Sequence, residues 1–542
     1  MPKANMAGVE NSLLVLALGV LCVLTSQAST TGPRVREVAH RVDRRFVSVT
    51  IDASLAQDER FMYLLSSRKV RALAKALAPA YLRFGGTRQD FMEFNPQRDL
   101  ALAARQARGP QGDWAELPEW CEEHLKRQWR EEEKLLARQD ASGKFPQIKF
   151  TEVTLDLLHA FANSSGLDLI FGLNALLRNA DNTWNSSNAR SLLRYCEAKR
   201  YRVSWELGNE PNSFEKKAGI RVDGFQLGQD FSCLREMMSQ SPWHRHAGLY
   251  GPDVGQPRRR TTDLLDGFLR SGSNAVDACT WHHYYVNGRD TSLDDFLDPK
   301  ILDSLTLQTK VIMKAMRHVS PGKPVWLGET SSAYGGGAEG LSDTFAAGFM
   351  WLDKLGLAAK LGVAVVMRQV LVGSGTYHLL DENLDPLPDY WLTLLHKSVV
   401  GRGILSADIF TKSSRRVRLY LHCAAIRRYA RGALTLLAMN LGKMPAKVAV
   451  PTWLATSAVD AFVLQSEREG KDGLLSRSVM LNGNLLKLAE GGTLPPLRGD
   501  RLPAAEHLQL PAFSLAFFVF TDAQHQACTS RLQPRLGAQV TS

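Results

Sequence analysis

Residues 203–212 read V-S-W-E-L-G-N-E-P-N. An apolar run stops abruptly at Gly208, Asn209, Glu210 and Pro211. This is the pattern of a buried strand whose last residues leave the core as a polar rim. A second segment, V-W-L-G-E-T, ends the same way and places Glu329 after Val325, Trp326 and Leu327. Either glutamate alone reads equally well as a salt-bridged surface residue. Two strand-end carboxylates far apart in sequence are what a paired-carboxylate active site requires: one protonates a leaving oxygen, the other attacks or activates water.

Working outward, strand-like and helix-like patterns alternate. V-S-V-T-I-D (Val47 to Asp52) is a strand, Lys69 to Leu77 a helix, and Tyr81 to Phe84 a strand followed by Gly85-Gly86-Thr87. The alternation resumes with a helix over Val153 to Phe161, a strand over Asp168 to Leu173 and a helix over Asn188 to Lys199, and then comes the strand that carries Glu210. Beyond it, strands are expected at Gly248 to Pro252, Asp277 to Tyr285, Val325 to Glu329 and Val363 to Gln369. Helices are expected between and around them at Phe225 to Met238, Thr261 to Leu269, Leu302 to Arg317 and Thr344 to Leu355. Short apolar strands with amphipathic crossovers imply parallel strands. About eight such units predict a (β/α)8 TIM barrel, with its chemistry at the C-terminal strand ends. Asp52, Asn174 and His282 fall at such ends, as do both glutamates.

Two stretches depart from this rhythm. From about Pro96 to Gly143 the chain is rich in charge, Gln and Ala, as in W-R-E-E-E-K-L-L-A-R-Q-D. It carries little that a core demands and reads as an excursion from the domain, helical in part. From about Gly403 onward, I-L-S-A-D-I-F, R-V-R-L-Y-L-H-C, G-A-L-T-L-L-A-M-N-L and A-F-S-L-A-F-F-V-F predict an all-β sandwich. Its strand Phe513 to Phe520 is mostly apolar and is expected to be central.

A chain of 542 residues is too long for one simple core. The formal net charge of +11 favours polyanionic partners without choosing among them. Lys3, the apolar run Leu13 to Leu24 and the small residues up to Ala28 read as a secretory signal peptide, too short to span a bilayer. Leu355 to Val372 is hydrophobic but carries Lys360 and Arg368, so no transmembrane segment is expected. Secretion makes Asn163 and Asn185, each in an N-x-S sequon, candidate glycan sites, and makes nucleic acid a poor partner. Of seven cysteines, Cys22 lies in the leader. Cys423 and Cys528 could staple the C-terminal region, and Cys196 and Cys279 read as buried thiols. No Cys/His cluster has zinc spacing, and neither a metal nor another cofactor is expected.

Around the glutamates, Asn209 can donate to a sugar hydroxyl, and Gly208 with Pro211 fits a constrained turn. Trp281, Tyr284 and Tyr285 are candidates to contact sugars, whereas Trp205 and Trp326 read as core. In W-H-H-Y-Y, two adjacent histidines on a strand point to opposite faces, so at most one, His282 or His283, meets a site. Arg258-Arg259-Arg260 is either solvated surface or, at the barrel mouth, a binder of sulfate or carboxylate. Lys144 and Lys149 border the excursion and can add to it. Arg415, Arg416 and Arg418 read as ordinary surface charge.

At these residues the chain closely resembles the heparanase family, the endo-β-glucuronidases of heparan sulfate. The resemblance covers nearly the whole mature chain. It is densest in Y-L-R-F-G-G-T, W-E-L-G-N-E-P-N-S-F, Y-G-P-D-V-G-Q-P-R-R, W-H-H-Y-Y, V-W-L-G-E-T-S-S-A-Y-G-G-G and L-L-D-E-N-L-D-P-L-P-D-Y-W. It implies Glu210 as acid/base, Glu329 as nucleophile, and retention at the anomeric carbon. It also implies a cleft lined by Asp52, Thr87, Asn209, Gln256, Arg258, Tyr284, Gly335, Gly336, Gly375, Tyr377 and Glu382, and a disulfide between Cys423 and Cys528. The implied partners are heparan sulfate, heparin and heparan sulfate proteoglycans. The implied locations are the extracellular matrix, the cell surface and the lysosome.

The family's latent proenzyme loses a linker to a lysosomal protease, leaving a small chain bound to a large one. Mapped here, residues 1–28 are the signal peptide and 29–47 an N-terminal segment joining the sandwich. Residues 48–95 carry the first barrel strands and 96–143 the excised linker. Residues 144–402 complete the barrel and 403–542 form the sandwich. The chain departs from the family at R-Q-D-A-S-G-K-F-P-Q, which lacks a bulky aromatic before the second cut. Ser164 replaces a cysteine, leaving Cys121 without its usual partner, and Thr376 replaces an asparagine. The competing expectation is a noncatalytic protein that binds heparan sulfate without cleaving it.

Overall fold

The structure, a computed structural model, describes residues 37–97, 118–412 and 414–529. The signal peptide, residues 29–36 of the N-terminal segment, the excursion's residues 98–117 and the tail from 530 lie outside the described residues. Eight parallel strands close into a barrel. They are β1 (Val47–Asp52), β2 (Ala80–Gly85), β3 (Leu167–Leu173), β4 (Ser204–Leu207), β5 (Leu249–Val254), β6 (Ala278–His283), β7 (Val325–Thr330) and β8 (Val365–Arg368). Each strand pairs with the next, and β8 pairs back onto β1, so Val366 faces Val47 and Arg368 faces Val49.

The crossovers are α1 (Arg68–Ala76), α2 (Glu152–Ser165), α3 (Ser187–Lys199), α4 (Gly224–Gln240), α5 (Arg259–Gly272), α6 (Pro299–Val319), α7 (Ala347–Lys360) and α8 (Pro388–Val399). The strands are buried almost throughout because helices cover one face and the barrel interior the other. Tyr81, Ile170, Tyr250, Ala278, Trp326, Val365 and Met367 pack on one another as a cluster of their own. They come from six strands and plug the N-terminal half of the barrel, with Trp326 centred 4.3 Å from Tyr250 and 5.0 Å from Tyr81.

Helix α8 runs directly into the sandwich. Its large sheet is ordered His40–Arg41, β9 (Val400–Leu405), β10 (Val417–Ala424), β11 (Leu434–Asn440), β13 (Ser514–Phe520), β12 (Val459–Gln465), then two short strands. The apolar strand β13 is central, as its sequence requires. Thr411–Lys412, Ala446–Ala449 and His507–Leu510 form the facing sheet. Cys423 and Cys528 are disulfide-bonded with Cα atoms 5.5 Å apart. Cys121, Cys196, Cys233 and Cys279 are free. Arg418 corrects the surface reading: it is largely buried and pairs with Asp353 of α7 and, at 2.8 Å, with Asp303 of α6. It pins the sandwich to the barrel.

The described part of the excursion is one long helix, Glu119–Ser142, here called the cap helix. Its Glu/Lys pairs support it at i,i+3 and i,i+4, such as Lys126 with Glu122 at 2.8 Å. Gly143, at φ 66°, terminates it in the left-handed conformation. Only Leu125, Trp129 and Leu136 are buried along it, one narrow stripe. Two three-residue strands, Met92–Phe94 and Ile148–Phe150, pair in parallel and hold the excursion's two ends side by side. No helix among the described residues is long and apolar enough to cross a membrane.

Candidate active site

The turn after β4 is built by residues that few others could replace. Gly208 has φ 78°, and a Cβ there would stand 2.9 Å from the Ala175 Cβ and 3.0 Å from the Phe214 ring. Glu210 follows at φ 52°, a left-handed conformation costly for a side chain of this size. Its N–H donates to the Asp253 carbonyl at 3.0 Å and its carbonyl accepts from the Ser213 N–H at 2.8 Å. Asp253, at the end of β5, is also left-handed at φ 52°. Strained carboxylates on neighbouring strand ends are typical of sites whose surroundings over-determine the backbone.

Glu329 lies in β7, 8 % exposed. Arg83 Nη1 donates to its Oε2 at 2.9 Å and the Tyr284 hydroxyl to its Oε1 at 2.7 Å. Arg83 is fully buried in β2. Its Nε also donates to Glu206 Oε2 at 2.6 Å and its Nη2 to Asn209 Oδ1 at 2.9 Å, and Asp253 Oδ2 is 3.6 Å away. One guanidinium thus ties the Glu329 carboxylate to the residue beside Glu210. Asp90 accepts the Asn209 N–H at 2.7 Å and the Ala175 N–H at 3.0 Å, fixing the Glu210 turn from below.

Glu210 is the more open of the two, its side chain 28 % exposed. His282 Nδ1 is 3.4 Å from its Oε1, and Lys217 Nζ is 3.6 Å from its Oε2. The other His282 nitrogen, Nε2, is 3.2 Å from Asp253 Oδ1. Burial alone pushes the Glu210 carboxyl up, but Lys217 and His282 outweigh it and hold the group near 2. Burial pulls His282 down, but Glu329, Asp253 and Glu210 lift it to about 9. Burial raises Glu206, with Asp253 adding to the effect against Arg83; burial also raises Asp253, but Arg83 and His282 lower it overall. Glu206 therefore holds a proton more tightly than an ordinary carboxylic acid. The cations Arg83, His282 and Lys217 face the anions Glu329, Asp253 and Glu210.

These shifts have a readable consequence. Glu210 lies below its ordinary 4.5, so its stabilising contribution is present above that value and is lost as pH falls through about 2. His282 lies above its ordinary 6.5, so its contribution is full below 6.5 and is lost as pH rises through about 9. The thermal midpoint of His282→Asn should therefore fall less between pH 6.5 and 9 than that of the parent. Parallel falls in scanning fluorimetry would refute the imidazolium bridge.

The remaining expected cleft residues gather around this centre in part. Asp52 accepts from Gln369 Nε2 at 2.9 Å and stands against Gly86. Thr87 accepts from Lys217 Nζ at 3.0 Å. Gln256 donates to the Tyr284 carbonyl, and Tyr284 lies 6.2 Å from the Tyr377 ring. Gly335, Gly336 and Gly375 all have positive φ. A Cβ on Gly375 would stand 2.9 Å from the Gly336 carbonyl, so the two glycine loops approach as closely as backbone allows. Arg258 is exposed at the start of α5, and Lys144 is exposed just past the cap helix. Glu382 is drawn aside: Arg477 of the sandwich holds it at 2.9 Å and keeps its carboxyl near 2. His283 faces away from the site, its ring 4.7 Å from Tyr285. Trp281 is fully buried in the core, which corrects its reading as a sugar contact.

Arg83, Asp253, Glu206, Asp90 and Lys217 went unassigned in the sequence. The signal for Arg83 was present: an arginine inside the apolar run Y-L-R-F must find buried partners. Among the described residues, no group of three or more His, Cys, Asp or Glu is arranged to hold a metal ion.

The cap helix lies across this face of the barrel. Arg88, just after β2, donates to Asp140 Oδ1, the Leu136 carbonyl and Gln139 Oε1, each at 3.1 Å. Gln57, just after β1, donates to Glu132 at 2.9 Å, and Trp129 packs edge-on against Phe61 at 5.0 Å.

Residues 124–356 match the family model described as glycosyl hydrolase family 79, N-terminal domain. Heparanase of Gallus gallus is 49 % identical over 95 % of this chain and 100 % of its own length. Inactive heparanase-2 of Homo sapiens is 35 % identical over 98 % of this chain and 92 % of its own. The crystal structure of a 4-O-α-L-rhamnosyl-β-D-glucuronidase from Fusarium oxysporum has the same fold, with a TM-score of 0.58 at 15 % identity over 89 % of this chain and 97 % of that one. The eight-stranded barrel, the paired glutamates and a near full-length likeness lead to one assignment: the chain belongs to the heparanase family.

Proposed function

We propose that this glycoside hydrolase is a retaining endo-β-glucuronidase that cleaves internal glucuronic acid–glucosamine linkages of heparan sulfate. The observation that carries the reading is the contrast between the two carboxylates. Glu329 is buried and aimed by Arg83 and Tyr284, the environment of a nucleophile. Glu210 is open to the mouth and carries a proton source, His282, at its back. In the first step Glu329 bonds to the anomeric carbon, the glycosidic C–O bond breaks, and the proton from Glu210 passes to the leaving oxygen. In the second, Glu210 takes a proton from water, which attacks the same carbon and frees Glu329.

Glu210 rests as a carboxylate and must be charged with a proton first. An anionic sugar arriving beside it disfavours that charge, and Lys217 can swing to the incoming sulfate or uronate. Both changes raise the affinity of Glu210 for the proton that His282 Nδ1 holds. Asn209, its Oδ1 held by Arg83, has its amide nitrogen left for a sugar hydroxyl. The glycine loops around Gly336 and Gly375 suit a uronate carboxylate, which backbone N–H groups can cradle. The leader sequence, the sequons and the named heparanase relatives support secretion and passage to the lysosome. The excursion would be the segment that a lysosomal protease removes, giving a small and a large chain that stay associated.

The test is chain-length analysis of heparan sulfate with Glu210→Gln and Glu329→Gln. Each should lose at least about 10²–10⁴-fold in initial rate. Glu210→Gln should recover on a glucuronide whose leaving group needs no proton, and Glu329→Gln should not. A parent that binds heparan sulfate tightly and leaves its length unchanged would establish the noncatalytic reading instead.

A further inference from the structure

A second cavity opens at the other end of the barrel. It has a volume of about 940 Å³ and is lined by the N-terminal ends of β2 to β5 and the C-terminal ends of α2 and α3. The plug formed by Tyr81, Tyr250 and Trp326 separates it from Glu329, so it does not continue the catalytic cleft. Four arginines line it: Arg44, Arg45, Arg200 and Arg202. Its single lining carboxylate, Asp168, is already taken by Arg45 at 2.5 Å.

Arg44, Arg200 and Arg202 are exposed, and none forms an ion pair with another described residue. Arg200 caps the C-terminus of α3, where the helix dipole welcomes a cation. That accounts for one of the three; nothing comparable accounts for Arg44 or Arg202. Gathering guanidinium groups around a concavity without counter-charge is unfavourable unless an anion fills it. The walls also carry a Trp243 ring, held by its Nε1 bond to the Tyr201 carbonyl at 2.7 Å. Arginine forks for sulfate or carboxylate, next to an aromatic face for a pyranose ring, are the elements of a saccharide site.

We propose that this basal cavity is an exosite for a sulfated glycan segment, gripping polysaccharide away from the bond being cut. The identity of the ligand rests on the heparan sulfate reading above; the anion site itself does not. It would anchor the enzyme on a long chain and leave cleavage of short ones untouched.

The test compares the parent with Arg44→Gln/Arg200→Gly/Arg202→Gln, in which glycine suits the positive φ of residue 200. Binding of a heparin octasaccharide is measured across a salt series, using full-length protein. Asn163 lines the same cavity, so protein with its N-glycans and protein with them removed are both used. The triple variant should bind at least about tenfold more weakly, with a salt slope shallower by roughly two, as for released counterions. On long chains its KM should rise while kcat holds, and on short chains both should match the parent. Octasaccharide binding equal to the parent in both glycan forms overturns the exosite. So does an arginine dependence seen only with phosphatidylserine vesicles. If no preparation shortens heparan sulfate but the octasaccharide difference persists, the enzymatic reading fails and the cavity stands.

Discussion

Replacing Arg83 with methionine is expected to abolish turnover and lower the thermal midpoint together. Arg83 is fully buried and bonds Glu206, Glu329 and Asn209 at 2.6–2.9 Å. Methionine fills similar space but leaves Glu329 and Asp253 without their shared counter-charge. Removing one partner of a buried ion pair costs about 3–5 kcal/mol, because the other charge stays behind desolvated. The site can relieve that cost by protonating Glu329, and a protonated nucleophile does not attack. Arg83→Lys separates the two effects. It restores one positive charge, and much of the stability with it, but an ammonium cannot reproduce a fork that meets three acceptors in a plane. Its rate should stay down at least about 10²-fold, as when an oriented catalytic group is lost. Melting curves and heparan sulfate depolymerisation rates on the same preparations check this. A methionine variant with parental turnover, or a lysine variant whose rate recovers with its stability, would remove Arg83 from the catalytic account.

The second large effect is expected from the cap helix. It spans residues 119–142, yet only Leu125, Trp129 and Leu136 are buried along it, helped by Arg88 at its C-terminal end. Truncating a buried tryptophan to alanine costs about 3–5 kcal/mol. As the largest of the three buried anchors, Trp129 carries much of the docking, so Trp129→Ala should raise the fraction of open molecules by about 10²–10³-fold. Apparent affinity for substrate follows the open fraction. Initial rates on long heparan sulfate chains should therefore rank as parent, then Trp129→Ala, then protein with residues 98–142 cut out. Equal rates for all three would show that the helix does not limit access.

The barrel was legible because short strands rich in apolar residues alternate eight times with amphipathic helices, the rhythm of parallel strands with helical crossovers. The sandwich was legible for the related reason that β11 and β13 sit inside a sheet buried on both sides. The two glutamates stood out because each ends an apolar run. What could not be read was convergence. Arg83 on β2, Asp253 at the end of β5 and Lys217 on the short helix Phe214–Ala218 meet only through closure of the barrel. Trp281 was misread because aromatic residues near a strand end face inward or outward according to register, which one run does not reveal. Arg418 was misread because its partners lie on α6 and α7, more than sixty residues away. The cap helix's docking was invisible because three anchors in twenty-four residues barely disturb a charged composition.

The parallel pairing of Met92–Phe94 with Ile148–Phe150 has a further meaning. Strands β1 and β2 form one side of the excursion, and their neighbours β8 and β3 come from the other. While the chain is continuous, the two sides meet intramolecularly, at an effective concentration on the order of millimolar. Once the excursion is severed, a piece carrying β1 and β2 could return to an opened barrel only by chance encounter at its own dilution. Alone, it has neither outer partner for its strands. The segment that covers the mouth is therefore also the tether that makes assembly a one-body problem. A molecule cut there would owe its assembly to the intact chain, and its two pieces would have to meet as separate bodies to form it again.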